Sequence, residues 1–527
     1  MTLEEGRAQA LQQMLLERDT AKRRAPPEVW RAYEEAQRTY DLHGKALEKA
    51  GAGEARATAA LEAEKAQQAG EAAIVAKRQA LATAQKETER VREEYTQARV
   101  EAERRWGEVR QAVKDVLPPP VDVKRARELV PPGVVWVEFS VGETGSTVFV
   151  VRGGGQVAAY PLQVPLKELE ARVDFVRRSV SREVGERGVA VPGSEGIRLE
   201  AARTLYQKLF PAEAREAIAG AERVVLSPDG MLWELPFAVL VMNDTGAAQY
   251  LGLEKPLVYA QSLAVFAQAA GVEAGRVSGK GTVLVVGNPL FDNARRAELA
   301  ATQTKVATAP MKTAMATKRG EGELALLSRD GMIPEPLPDA EEEAREVAAL
   351  YGVKASIGAE PTEKWFRERA GDAPIIHLAT HGYFNPIRPM SSGVRLAVPE
   401  QEAGPGETDN DGALQAWEIM SQIHLKAELV VLSACETGLG AEVRGEGLVG
   451  LTRAFQVAGA RSVVASQWRV SDRSTASLMV AFHESLKAGV PKDEALRLAM
   501  AKVAKDPVTA DPYFWAAFLL VGDYRGK

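Results

Sequence analysis

At 527 residues the chain is long enough for two to four domains and for a sizeable core. Its mixture of 46% hydrophobic and 26% charged residues is that of a soluble globular protein. A net charge of −6 argues against bulk attraction to nucleic acid or to an anionic membrane, so neither is expected as a direct partner.

The first residues, MTLEEGRAQALQQMLLERD, are charged from the fourth position and have no apolar h-region, which argues against a secretory signal. No run of about 18 apolar residues follows, so no membrane span is expected. Residues 1–117 form a block rich in Ala, Glu, Arg, Gln and Lys, helical by propensity. Gly51-Ala52-Gly53 is expected to divide it into two helices, paired as an antiparallel hairpin or short coiled coil. In the second, Tyr95, Ala102, Val109 and Val116 recur every seven residues, with Val91 and Ala98 on the adjoining seam. No 34-residue self-similarity marks tetratricopeptide repeats. Pro118-Pro119-Pro120 stops the helix and marks a boundary.

Beyond about residue 130, strands alternate with helices. VVWVEFSV (134–141) and TVFVVRG (147–153) read as a hairpin. A helical stretch at 197–219 precedes RVVLSPDGMLWELPFAVL (223–240), a buried strand entering a Pro-Asp-Gly turn. GTVLVVGNPLF (281–291) is another apolar strand ending in a loop. Residues 292–333 carry scattered Ala, Thr, Lys and Met with little periodicity, the composition of a mobile surface insertion. EAREVAALYG (343–352) is a helix, APIIHLATHG (373–382) a strand and loop, and AELVVLSACETG (427–438) a second strand and loop. A helix at 447–459, the strand ARSVVASQW (460–468) and helices at 474–488 and 492–504 complete the series. Apolar strands without period-2 relief, alternating with helices, predict an α/β sandwich around a largely parallel sheet.

In open α/β sheets, functional groups gather in loops beyond the carboxyl ends of strands. Two such loops stand out. In HLATHG the strand at Ile375-Ile376 runs into His377, Thr380, His381 and Gly382. In SACETG the strand at Leu429–Leu432 runs into Cys435, the sole cysteine. One cysteine makes no internal disulfide, which fits a reducing cytoplasm. A histidine and a thiol at equivalent positions after two strands are what a thiol nucleophile and its general base need. Packing is the alternative, since free cysteine is among the most buried residue types. Against it, Cys435 lies past the apolar run and is followed by the turn residues Glu436, Thr437 and Gly438.

As metal ligands, His377 and His381 would require helical i,i+4 geometry and further ligands, whereas their segment reads as strand plus loop. No metal and no cofactor are expected. His43 lies in the helical block, and His424 and His483 have no chemical neighbours of note, so all three read as solvated or packed. GLGAEVRGEGLVG (438–450) admits a phosphate-loop reading but lacks GK[ST] and a Rossmann acidic partner; the alternative is a flexible loop bordering a cleft.

The motifs IIHLATHGYF, DGALQAWEI, LVVLSACETGLGAEVRGEGLVGLTRAFQVAGARSVVASQWRVSD and YFWAAFLLVGD resemble those of the CHAT peptidases. These are caspase-like proteins of the same clan as separase, often fused to tetratricopeptide repeats. VVLSPDGMLWELPFAVL, KPLVYAQSL, VLVVGNPLF and PLPDAEEEAREVAAL match further landmarks in order, so the resemblance covers roughly 130–527. The N-terminal block matches only in character.

The resemblance implies a caspase-hemoglobinase-like α/β/α sandwich in two halves, a pseudo-caspase half at 130–290 and a catalytic half at 335–527. It implies His381 as the base and Cys435 as the nucleophile, with His377 at a structural position. On that assignment the Cys435 thiolate attacks a peptide carbonyl, and His381 raises the thiolate fraction and protonates the leaving amine. Backbone N–H groups of Gly382 and Cys435 would stabilise the oxyanion by about 3–4 kcal/mol per donor. In separase-like relatives an acidic residue of a WxVxD segment contacts the P1 side chain. Here the segment is Trp468-Arg469-Val470-Ser471-Asp472, implying that Asp472 accepts a basic P1 residue, Arg best for its planar fork. Asp472 equally suits the N-cap of the helix starting near Ser474. Asp411, in DNDG, is a second acidic candidate or a turn residue. Gln467 replaces the leucine usual before that tryptophan and, with Trp468, is expected at the substrate cleft.

The expectation is a cytoplasmic cysteine endopeptidase acting on a protein substrate after a basic residue, with the helices of 1–117 docking a protein activator. The alternative is a non-catalytic scaffold working through that helical segment. Lys305, Lys312, Lys318 and Arg319 in the insertion suit self-cleavage or gating of the cleft; an inert loop is the other reading.

Overall fold

The computed structural model describes residues 26–66, 71–113, 123–142, 145–181, 194–263, 265–266, 279–291, 335–383, 392–400, 410–433, 441–443, 447–468 and 472–526. They fall into two compact units, one within 13–119 and the other spanning 120–308 and 335–527. The insertion expected at 292–333 lies outside the described residues.

In the first unit, helices α1 (Pro27–Ala66) and α2 (Glu71–Val113) pair along the seam legible in the sequence. Val91, Ala98, Ala102 and Val109 are buried. Val29, Trp30 and Tyr33, early in α1, close on Val109, late in α2, which sets the antiparallel sense. Tyr40 and Tyr95 stack with centroids 5.0 Å apart and share a 2.7 Å hydroxyl hydrogen bond. Val116 lies outside the described residues. Gly51 and Gly53 do not divide the block, because α1 runs through both. Each glycine costs a helix about 1 kcal/mol relative to alanine, which good helix formers on either side and a packed seam offset.

The second unit is built on one eleven-stranded sheet. Its first strands are β1 (Val134–Ser140), β2 (Ser146–Arg152), β3 (Val157–Leu162), β4 (Arg223–Ser227), β5 (Leu257–Tyr259), β6 (Leu284–Pro289), β7 (Ser356–Gly358) and β8 (Ile375–Ala379). β9 (Gly382–Tyr383), β10 (Gly393–Arg395) and β11 (Ala413–Gln415) form a separate three-stranded sheet. After β12 (Leu429–Ser433), strands β13 (Ala441–Val443) and β14 (Gly447–Val449) pair as a hairpin. β15 (Ser462–Ser466) and β16 (Phe518–Gly522) complete the main sheet. Its order is β3-β2-β1-β4-β5-β16-β15-β12-β8-β6-β7. The β1–β2–β3 edge and the β15–β16 pair are antiparallel; the rest are parallel. Residues 284–289, grouped with the first half from the sequence, hydrogen-bond to β8 and β7.

Helices α3 (Leu166–Ser181), α4 (Ser194–Leu209) and α5 (Ala212–Ala219) accompany the first strands. Later ones are α6 (Pro338–Tyr351), α7 (Glu363–Ala370), α8 (Ala416–Gln422), α9 (Leu451–Ala458), α10 (Asp472–Lys487) and α11 (Lys492–Ala504). The β12 side chains show why its strand pattern is apolar throughout. Leu429 and Val431 join a core with Leu478 and Met479 of α10, while Val430 and Leu432 join another with Phe366 of α7 and Phe455 of α9. Both faces of the strand are covered, so neither needs polar residues. The helix expected from Gly447 starts at Leu451, because Gly447–Val449 pair with Ala441–Val443. No helix among the described residues is long and apolar enough to cross a membrane.

Candidate active site

β8 and β12 are parallel neighbours in register, from Leu429 with Ile375 to Ser433 with Ala379. His381 and Cys435 each follow that last pair by two positions. Adjacent strands run about 4.8 Å apart, so the two strands end side by side at the carboxyl edge of the sheet. Cys435 itself lies in 434–440, outside the described residues.

His381 is held at both its backbone and its ring. The Arg395 N–H donates to its carbonyl at 2.8 Å, and Thr380 Oγ1 donates to the Arg395 carbonyl at 2.6 Å. These ties come from β10, which also pairs Val394 with Gly382 and Gly393 with Tyr383. The ring places Nε2 2.7 Å from the carbonyl oxygen of Glu335 and stands edge-on to Phe291, centroids 5.0 Å apart. A carbonyl only accepts, so Nε2 carries the proton and Nδ1 is the basic nitrogen of the neutral ring. Phe291 and Glu335 thus hold the imidazole, and neither was singled out from the sequence. Glu335 lies 46 positions before His381 and Phe291 lies before the 292–334 stretch, so only the folded chain reveals these contacts.

Asp411 is exposed, and its Oδ1 accepts from the Ala413 N–H at 2.9 Å in a turn. Beneath the turn, fully buried Glu363 accepts from Gly412 N–H at 2.7 Å and Ala413 N–H at 3.2 Å, and pairs with Arg367 at 3.1 Å. Burial, with the nearby Asp411 charge second, pushes the Glu363 carboxyl up to about 7. The Arg395 guanidinium lies over the Tyr383 ring, 4.7 Å from its centroid.

Asp472 opens α10, and its side chain lies outside the described residues. Gln467 and Trp468, expected at the cleft, are buried and bonded within the protein. Gln467 Nε2 donates to the Trp233 carbonyl at 3.3 Å, and Trp468 Nε1 to the Tyr513 carbonyl at 3.1 Å.

The remaining histidines divide sharply. His43 Nδ1 lies 3.5 Å from Glu94 Oε2, and His424 is exposed. His483, which has no sequence neighbour of note, is fully buried with Nε2 3.1 Å from His377 Nδ1 and Nδ1 3.0 Å from the Tyr351 hydroxyl. Burial, then the adjacent His377, holds the His483 imidazole well below its ordinary range. They stand 106 positions apart, so no local pattern announces the pair. Among the described residues no group of three or more His, Cys, Asp or Glu is arranged to hold a metal ion.

The family model for the CHAT domain matches residues 199–523. Tetratricopeptide repeat protein 28 is 30% identical in Homo sapiens and 31% in Mus musculus over 235 residues, 40% of this chain. The chain spans only 9% and 10% of those two proteins. Among solved structures, the Saccharomyces cerevisiae separase–securin complex is similar at 9% identity and a TM-score of 0.42, over 84% of this chain and 34% of that one. The Arg-specific cysteine proteinase gingipain R is similar at 11% identity and a TM-score of 0.32, over 68% and 75%. With more than half of its residues matched by the family model, and with the α/β sandwich observed, the chain belongs to the CHAT domain family.

Proposed function

We propose that the protein is a cysteine endopeptidase in which His381 and Cys435 act as base and nucleophile on a protein substrate. The observation that carries this is the register of β8 against β12, which ends the two strands side by side at Ala379 and Ser433, each two positions before His381 and Cys435 in the sequence. The Glu335 carbonyl supports it, because it fixes the tautomer that leaves His381 Nδ1 as base. Thiolate attack forms a tetrahedral oxyanion, and Gly382 N–H with Cys435 N–H are the proposed donors to it. His381 then returns the proton to the leaving amine. Asp472, first residue of α10, is the proposed acceptor for a basic P1 side chain, and Asp411 the secondary candidate.

Purified protein incubated with a library of peptides is expected to cut after Arg or Lys, and Cys435→Ala to remove all cleavage. Cleavage that survives Cys435→Ala ends the proposal. Asp472→Asn is expected to lose the basic P1 preference while Cys435 stays reactive toward a small electrophile.

A second reading is an interaction protein working through the helical hairpin, with the α/β unit as scaffold. It is favoured by the hairpin's own buried seam, and by relatives named for tetratricopeptide repeats. A chain whose Cys435 resists active-site electrophiles, in the presence of candidate activators, fits this reading. Either way the helices of 1–117 are the proposed docking surface for a protein partner, and the proposed location is the cytoplasm.

A further inference from the structure

His377 precedes His381 on the β8 segment by four residues and is fully buried between the sheet and helices α6 and α10. Besides its 3.1 Å contact to His483, its Nε2 lies 2.9 Å from Glu343 Oε1, out of line for a full hydrogen bond. Glu343 and Tyr351 come from α6 and His483 from α10, and these are the titratable groups facing His377. Its neighbours within the sheet are apolar, Val285 of β6 and Val431 of β12. Phe482 packs on the His483 ring at 5.5 Å.

Donors and acceptors along this chain match in one arrangement. Glu343 Oε1, 2.9 Å from His377 Nε2, favours a proton on that nitrogen without a full hydrogen bond between the two. His377 Nδ1 then accepts from His483 Nε2–H, and His483 Nδ1 accepts from the Tyr351 hydroxyl. Both rings are neutral in this arrangement. Of the three elements joined in this way, two lead to His381 and its carbonyl partner, and the third opens with the residue proposed to meet P1. β8 runs into His381, α6 begins three residues after Glu335, and α10 begins at Asp472.

We propose that the buried chain Glu343–His377–His483–Tyr351 is a positioning element for His381. It seats α6 against β8 so that the Glu335 carbonyl meets the imidazole. The proposal rests on reading His381 as the base.

The test uses the full chain with 13C-labelled histidine, since five imidazoles are few enough to follow singly by NMR. His381 titration and Cys435 alkylation by iodoacetamide are measured across pH in wild type, His483→Leu and His483→Gln. His483→Leu leaves His377 Nδ1 and the Tyr351 hydroxyl unmatched, whereas glutamine keeps a donor at the Nε2 position. In His483→Leu the His381 midpoint is expected to move by about 0.5 pH unit or more. Alkylation at neutral pH is expected to fall on the order of tenfold, and His483→Gln to recover most of both effects. A folded His483→Leu protein with a lowered unfolding midpoint but an unchanged His381 titration overturns the proposal, because a merely structural role predicts that result. Should the leucine variant not fold, Tyr351→Phe, which removes only the terminal donor, takes the same measurement. If wild-type Cys435 alkylates no faster than a free thiol, the peptidase reading fails, and the His381 titrations still decide the positioning role.

Discussion

Glu363 shows how one buried carboxyl turns a loop into a pH-sensitive feature. It accepts two backbone N–H groups of the Asp411 turn, yet burial outweighs them and raises its midpoint to about 7. The unfolded carboxyl releases its proton near 4.5. Between those values the folded chain holds a proton that the unfolded chain has lost. Its contribution to stability is therefore present in acid and lost as pH rises through about 7. Glu363→Gln should accept the same N–H groups and remove this dependence. Urea midpoints of wild type minus variant are expected to fall between about pH 5 and pH 7; a flat difference would show that Glu363 is ionised throughout. At this scale the sequence was informative where candidates follow a strand pattern, as with the proposed pair His381 and Cys435. It was silent on Glu363, Phe291 and His483, whose roles come from residues far along the chain.

The elements follow the same division. The α2 seam of Val91, Ala98, Ala102 and Val109 was legible because a heptad needs no partner to be seen, only a period. The break assigned to Gly51 and Gly53 was not, because helix propensity is a weak prior that a packed neighbour overrides. A Cβ added at either glycine meets nothing within 4 Å. Gly51→Ala and Gly53→Ala are thus each expected to stabilise α1 by up to about 1 kcal/mol. Thermal melts followed by circular dichroism should show higher helical midpoints; lower ones would mean that the helix does not run straight through. The hairpin β13–β14 was missed because its glycines read as helix punctuation, and pairing across the turn is a tertiary matter.

Across the α/β unit, a single sheet carries strands from both sequence halves. β16, last in the chain, lies between β5 and β15, and one core holds Leu226 of β4 together with Leu520 of β16. Unfolding of this unit should therefore be a single cooperative transition. Leu226→Ala and Leu520→Ala are each expected to cost about 2–5 kcal/mol and to move the same transition, followed by tryptophan fluorescence and far-UV dichroism in urea. Two separable transitions would show that the halves fold apart.

The sequence by itself determined the fold class, the apolar strands β8 and β12 that precede His381 and Cys435, and the helical character of the N-terminal block. Those are set by local periods of apolar residues and by turn chemistry, which need no knowledge of neighbours. Only the tertiary structure decided strand order, the register that aligns Ala379 with Ser433, the Glu335 carbonyl on His381, and the burial of His377 against His483. Each of these joins residues separated by tens to hundreds of positions. Their energies arise from desolvation and from matched donors and acceptors, which exist only once the chain has closed on itself.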